Sequence, residues 1–201
     1  MRPDELYDYL TDSHVTDCAK RLLGCDIVAP HCRIQIVETE AYGGKEDLGS
    51  HAARGVTPRN AVMFGPAGIA YVYFNYGMHW LLNVTCRPAG EPGAVLIRAA
   101  KPIEGTDDIK SLRPKAKKDY DLLSGPGKIT MALGAKGDHT GLDLIDGTSK
   151  FTIVPNKEVK TIVQTTRIGL AEGKGHELNW RFVDEENGEW ASSLKSQASC
   201  F

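Results

Sequence analysis

Long apolar runs are missing from this chain of 201 residues: none approaches the roughly 18 that a membrane-spanning helix needs. An excess of one charge is missing too. Lys and Arg total 24 against 26 Asp and Glu, a net charge of −2, so the protein is not coated in positive charge, although a local basic patch stays open. Paired cysteines are absent. Cys18, Cys25, Cys32, Cys86 and Cys200 are odd in number and widely spaced, so disulfides are not expected and an intracellular setting is the simpler inference. It would be bacterial cytoplasm or nucleoid, or a eukaryotic nucleus. His14 with Cys18, and His31 beside Cys32, converge too little for a metal ion, and no cofactor is expected. The opening MRPDELYDYL is acidic and mixed, unlike a signal or transit peptide.

What is present is an ordinary folded composition, 41% hydrophobic and 25% charged, at a length that suits one domain over residues 1–201. Asp12 or Ser13 can cap a helix whose stripe is Val15, Cys18, Ala19, Leu22 and Leu23, stopped by Gly24. RIQIVETEAY (33–42) alternates like a strand, and GGKEDLGSHAARGVTPRN (43–60) reads as a long structured loop of the kind that serves a site. Strands follow around 70–74, 80–86 and 93–99, with a tight connection at Asn75-Tyr76-Gly77. GTDDIKSLR and SGPGKITMALG suit short helices, the second with Pro126 in its first turn and Gly134 at its end. Shorter strands are expected near 151–154, 160–168 and 178–183. The segment 98–128 holds eight basic and five acidic residues, whereas 172–189 holds six acidic and two basic. The bland reading of both is a solvated face.

Aromatic residues are scarce, 15 in all, yet Tyr71, Tyr73, Phe74, Tyr76 and Trp80 fall within ten positions. A core strand would use Val, Ile and Leu, because a buried tyrosine hydroxyl needs a partner. Alternation puts Tyr71, Tyr73 and Asn75 on one face and Val72, Phe74 and Tyr76 on the other, with Val72 and Phe74 suited to the core. The Tyr71–Tyr73 face can wall a pocket for a planar guest, with Tyr42 opposite and the Asn83 amide aimed into the same region. Packing alone is the competing explanation.

IVETEAY places Glu38 and Glu40 two apart on a strand, on one face with Ile34, Ile36 and Tyr42. Two carboxylates on an otherwise apolar face are costly if buried without purpose. One of them could be a general base tuned by partial burial. A strand leaving the sheet edge, with both carboxylates wet, is the alternative.

Five motifs in order, IVETEAY, SHAARGVTPRNAVMF, YVYFNYGMHWLLNV, VLIRAAKPIEG and LLSGPGKI, resemble the alkyladenine (3-methyladenine) DNA glycosylases of the mammalian type, from about Leu22 to the Trp180–Phe182 region. The resemblance implies a mixed α/β single domain, a curved antiparallel β-sheet core with peripheral helices, similar to the C-terminal domain of formyltransferases. It implies a monofunctional enzyme that flips a damaged purine from double-stranded DNA and hydrolyses its N-glycosidic bond, with no lyase step. By motif, Glu40 matches the water-activating base and Arg98 the arginine that helps hold the water. Tyr42, His51 and Tyr73 match the base pocket, Asn83 the asparagine that screens out guanine, and Tyr76 the tyrosine inserted into DNA. Lys128, at a helix start, is the favoured phosphate contact, with Arg59 a second candidate. Damaged DNA is the expected partner, with no membrane, and a monomer is expected.

Overall fold

The structure is a computed structural model that describes residues 2–192. Cys200 lies outside the described residues; the other four cysteines are buried free thiols. The stripe read at the N-terminal end is real, but its helix has a different cap and a helix before it. Pro3–Asp12 forms α1, which opens on a proline and buries Leu6 and Leu10 four residues apart. Asp12 therefore ends a helix, and Ser13 only connects. The cap of α2 (Val15–Leu22) is His14, whose ring accepts from the Thr16 N–H at 3.3 Å. Val15, Cys18, Ala19, Leu22 and Leu23 are all buried as expected. Gly24 follows at φ +77°, and the Lys157 carbonyl oxygen lies 2.1 Å from where a Cβ would sit. No side chain fits there.

The sheet is antiparallel in every pairing and runs β3-β4-β5-β2-β1-β6. Its strands are β1 (Asp26–Ala29), β2 (Cys32–Tyr42), β3 (Ala70–Asn75), β4 (His79–Thr85), β5 (Ala94–Glu104) and β6 (Thr152–Val154). Two more strands, β7 (Ile162–Thr165) and β8 (Arg181–Asp184), pair with each other, and β8 adds to β2 at Glu38–Glu40. The carboxylate-bearing part of β2 is thus central, with β5 on one side and β8 on the other. The wet edge strand is excluded. Helices α3 (Thr106–Leu112) and α4 (Pro126–Leu133) occupy the two segments read as helical, with Pro126 at the start of α4 and Gly134 ending it at φ +65°. The loop after β2 has no regular element until a 3₁₀ turn at Ala61–Phe64.

Two expectations about strand faces need correction. Register shifts break the β2–β5 ladder between Ile36 and Glu38 and again between Glu38 and Thr39, leaving Val37 and Arg98 without direct partners. A bulge changes which face the following residues take. Ile34, Ile36 and Ala41 accordingly share one core, and the Thr39 hydroxyl on that side donates to the Ala19 carbonyl of α2 at 2.8 Å. Glu38, Glu40 and Tyr42 point away from Ile34 and Ile36. A bulge also bends a sheet, and this one curves where the carboxylates emerge. Phe74, expected in the core, is 44% exposed, and its ring rests on Trp80 at a centroid distance of 4.8 Å. It lies one residue from the end of β3, where there is no second layer to cover it.

Candidate active site

Glu40 is fully buried, yet every atom near its carboxylate suits a charged group. Oε1 accepts from the Ile168 backbone N–H at 2.8 Å, and Oε2 accepts from the Tyr42 hydroxyl at 2.8 Å. Arg98 Nε lies 3.3 Å from Glu40 Oε1 and 3.3 Å from Glu38 Oε1. At those angles it makes no aligned hydrogen bond, so Arg98 serves the pair as a shared positive charge. Glu38, also fully buried, is taken up structurally. Arg181 Nε donates to its Oε1 at 2.5 Å and the Ser192 N–H to its Oε2 at 2.6 Å. Of the two carboxylates that look alike in sequence, Glu40 contacts three cleft-lining residues, Tyr42, Arg98 and Ile168, whereas Glu38 contacts only Arg98 among them.

That cleft has a volume of about 570 Å³ and is bordered by Tyr42, His51, Tyr73, Tyr76, Leu96, Arg98, Lys128 and Ile168 among others. At its inner end a chamber of about 30 Å³ is lined by Tyr71 and Asn83, together with Tyr42, His51 and Tyr73. The Tyr42 and Tyr71 hydroxyls have partners. Tyr71 OH meets His51 Nδ1 at 2.9 Å, and burial followed by the Glu40 charge pushes the Tyr42 phenol well up, so it stays a donor. Tyr73 stacks beside Tyr71 at 5.3 Å and meets the His51 ring edge-on at 4.6 Å. Burial, then the Arg59 charge, holds the His51 imidazole below its usual range, hence neutral near pH 7. Asn83 spends one N–H on the Tyr71 carbonyl, at 3.0 Å.

Tyr76 borders the cleft but projects into solvent. It is 82% exposed at the tip of the β3–β4 hairpin, where Tyr76 (φ +48°) and Gly77 (φ +67°) are both left-handed and Met78 N–H bonds back to the Asn75 carbonyl. Two consecutive positive φ angles mark the turn whose twist matches a hairpin. Lys128 borders the cleft at the start of α4, its Nζ 2.8 Å from Ser124 Oγ, and burial lowers its pKa. Arg59 leans inward instead: its guanidinium lies 5.2 Å from the Tyr73 ring centroid and reaches the Phe74 carbonyl at 3.4 Å.

Sequence reasoning missed the clamp behind this site. Arg167 and Asp47, both side chains fully buried, form a two-pronged ion pair at 2.7 Å on each prong. The same guanidinium donates to the Ala41 and Gly175 carbonyls and lies between the Tyr42 and Trp180 rings, at 4.7 and 5.3 Å. Its next residue is Ile168, the donor to Glu40. The partners are 120 residues apart on loops without periodicity, and no local pattern links them. Arg181, which fixes Glu38, opens the short strand β8 and was missed because its partner lies 143 residues away.

A buried carboxylate anchored beside a tyrosine-walled cleft, with an exposed ring on a hairpin tip, is an arrangement that can set a general base next to a flat guest. Comparison with known proteins makes this specific. The family model of the methylpurine-DNA glycosylases matches residues 9–188, and the chain belongs to that family of DNA N-glycosylases. It is similar to proteins assigned as 3-methyladenine DNA glycosylases. One from Carboxydothermus hydrogenoformans is 47% identical over 175 residues, spanning 84% of this chain and 89% of that protein. One from Burkholderia lata is 42% identical over 174 residues (85% and 83%), and one from Methanocella arvoryzae 40% identical over 186 (92% of each).

Proposed function

We propose that this protein is a monofunctional glycosylase of the mammalian alkyladenine type, acting on alkylated or deaminated purines of the 3-methyladenine, 7-methylguanine and hypoxanthine kind. It flips the purine out of duplex DNA and hydrolyses the N-glycosidic bond, which starts base excision repair. The observation that carries this reading is Glu40: a fully buried carboxylate held by Ile168, Tyr42 and Arg98 at the edge of an aromatic cleft. Two donors and a guanidinium fix its oxygens in place, the positioning a general base needs.

A base inside the duplex is out of reach, so the nucleotide must be extruded at a cost of a few kcal/mol. Tyr76, exposed on a turn that holds its own backbone, fills the vacated stack; stacking returns roughly 1–3 kcal/mol per base. The extruded purine enters between Tyr42 and Tyr73, with His51 at the rim and Asn83 set against a normal guanine. The inner chamber of about 30 Å³ holds little more than a water molecule, so the base occupies the cleft mouth as well. Glu40 removes a proton from water aimed at the anomeric carbon, and its charge steadies the oxocarbenium-like transition state. Arg98, 3.3 Å from Glu40 Oε1, holds the carboxylate and orients the water. An alkylated base that is already cationic leaves without a general acid, so Glu38 is free to be structural. The residues supply no Schiff-base amine in the cleft apart from Lys128, whose place at the helix start suits a phosphate; Arg59 is the other phosphate candidate. No cofactor takes part.

The reading extends to a monomer of one domain working inside the cell, and to a fold akin to formyltransferase C-terminal domains, for which the bulged antiparallel sheet is the support. Among the described residues no helix is long and apolar enough to cross a membrane. The decisive experiment is incubation with duplexes bearing one alkylated or deaminated purine, scored for free base and abasic sites. Tight binding to single strands with every glycosidic bond intact would make the protein a binding module instead.

A further inference from the structure

Two guanidiniums back the aromatic walls of the pocket, Arg167 behind Tyr42 at 4.7 Å and Arg59 behind Tyr73 at 5.2 Å. Neither guanidinium borders the cleft or the inner chamber itself. They differ in charge balance. Arg167 is neutralised by Asp47 at 2.7 Å. Arg59 has no carboxylate at ion-pair distance among the described residues; its polar partners are the Phe74 carbonyl, at 3.4 Å, and the Tyr71 hydroxyl. Its neighbour Asn60 is 1% exposed and pins the turn, accepting from the Thr57 N–H at 2.6 Å and donating to the His51 and Gly55 carbonyls at 2.8 and 3.0 Å. Arg59 is therefore delivered to the ring by a fixed loop.

Building on the glycosylase reading above, we propose that Arg59 is a specificity-determining residue: its unbalanced charge behind Tyr73 disfavours a cationic base in the pocket and leaves neutral purines unaffected. The face of an aromatic ring attracts cations through its quadrupole, and a ring sandwich would by default favour an alkylated, positively charged base. A guanidinium already seated on the Tyr73 ring opposes a second cation at the same ring, both by using up that potential and by direct repulsion. With about 9 Å between the two charges and partial exposure to water, the penalty is roughly twofold to tenfold in relative capture. The consequence is a levelled substrate range. Cationic bases leave readily by their own chemistry, whereas neutral ones depend on how well the pocket holds them.

The test is base release, under kcat/KM conditions, from two duplexes of identical sequence. One carries 7-methylguanine, with its fixed positive charge, and the other hypoxanthine. Arg59→Gln is expected to raise the cationic-to-neutral ratio roughly twofold to tenfold, and Arg59→Lys, which keeps a charge, to stay near the wild-type ratio. Partial misfolding scales both rates alike and cancels in the ratio. An unchanged ratio with both rates reduced in parallel would make Arg59 a phosphate contact only and overturn the proposal. A wild-type protein releasing neither base would instead remove the glycosylase reading itself.

Discussion

The bulged centre of β2 and the tip of the β3–β4 hairpin are opposite solutions to the placing of a functional side chain. At the first, Glu40 is fully buried, and three separate elements supply the groups that fix it: Ile168 on one loop, Arg98 on β5 and Tyr42 on its own strand. At the second, Tyr76 is 82% exposed and is held by nothing except its turn. Chemistry at a defined carbon requires a carboxylate that stays in place, so its surroundings over-determine it. Opening a duplex requires a ring that can enter from solvent, so nothing in the folded protein covers it. The same division predicts different failures. Changes at the centre should damage rate or stability, and changes at the tip should damage DNA distortion alone.

The largest effect is expected at Glu40. Glu40→Gln keeps the shape and still accepts from Ile168, but it cannot take a proton from water. Single-turnover base release should fall by about two to four powers of ten, the range general-base catalysis supplies. Duplex binding should survive. Glu38→Gln should cost much less in the chemical step, and the loss it causes should appear in stability, because Arg181 and Arg98 then share one carboxylate fewer. Equal rates for wild type and Glu40→Gln would discard the mechanism, and a collapse only at Glu38 would exchange the two roles.

Next comes the clamp. Removing one member of a fully buried ion pair leaves the other charge stranded, typically at a cost of about 3–5 kcal/mol. Arg167→Ala should therefore lower the urea midpoint strongly. Any folded fraction should release base slowly, since Ile168 and the Tyr42 ring lose their support. Asp47→Asn should be comparably costly, because the amide keeps one acceptor oxygen but leaves the buried Arg167 charge without a counter-charge. A clamp variant with wild-type stability would mean that the pair is not buried as described.

Smaller again is the cost of Tyr76→Ala. Loss of one stacked ring is worth roughly 1–3 kcal/mol, which should cut the flipped fraction about fivefold to a hundredfold. A base analogue that brightens on unstacking reports it directly. The thermal midpoint should not move, since the ring touches solvent. A variant that flips the analogue as fully as wild type would show that Tyr76 is not the wedge.

These two regions were also unequally legible in the sequence. The hairpin could be read nearly complete, since alternation, the Asn-Tyr-Gly turn and the crowding of rare aromatics are local signals. Only Phe74 misled, because alternation gives a face but does not say whether a second layer covers it. The β2 centre was legible in composition and not in geometry. VETE named the carboxylates, but the bulges at Val37 and Arg98 that turn them away from Ile34 and Ile36 depend on pairing with a strand 60 residues later. The partners Arg167, Asp47 and Arg181 come from loops and a short strand that carry no periodicity. A sequence shows which groups are present long before it shows which distant ones balance their charge.

The smallest effect separates the tip's two properties, its ring and its backbone. Tyr76 adopts φ +48°, a left-handed conformation that costs a residue with a Cβ about 1–2 kcal/mol. Glycine adopts it freely but loses more entropy on folding, by roughly 0.5–1 kcal/mol. Tyr76→Gly should then stabilise the protein by a few tenths to about 1 kcal/mol, a rise of about 1–4 °C in Tm for a chain of this size. Tyr76→Ala, which keeps the Cβ, should show no such gain. Both variants lack the ring, so both should lose flipping to the same extent. Thermal unfolding of the pair, beside the unstacking signal, reads strain and function independently. The expected result is a hairpin made sturdier and useless in one substitution, which would mean that the protein tolerates backbone strain at the tip for the sake of the ring. If Tyr76→Gly instead proves less stable than Tyr76→Ala, the turn is not left-handed at residue 76.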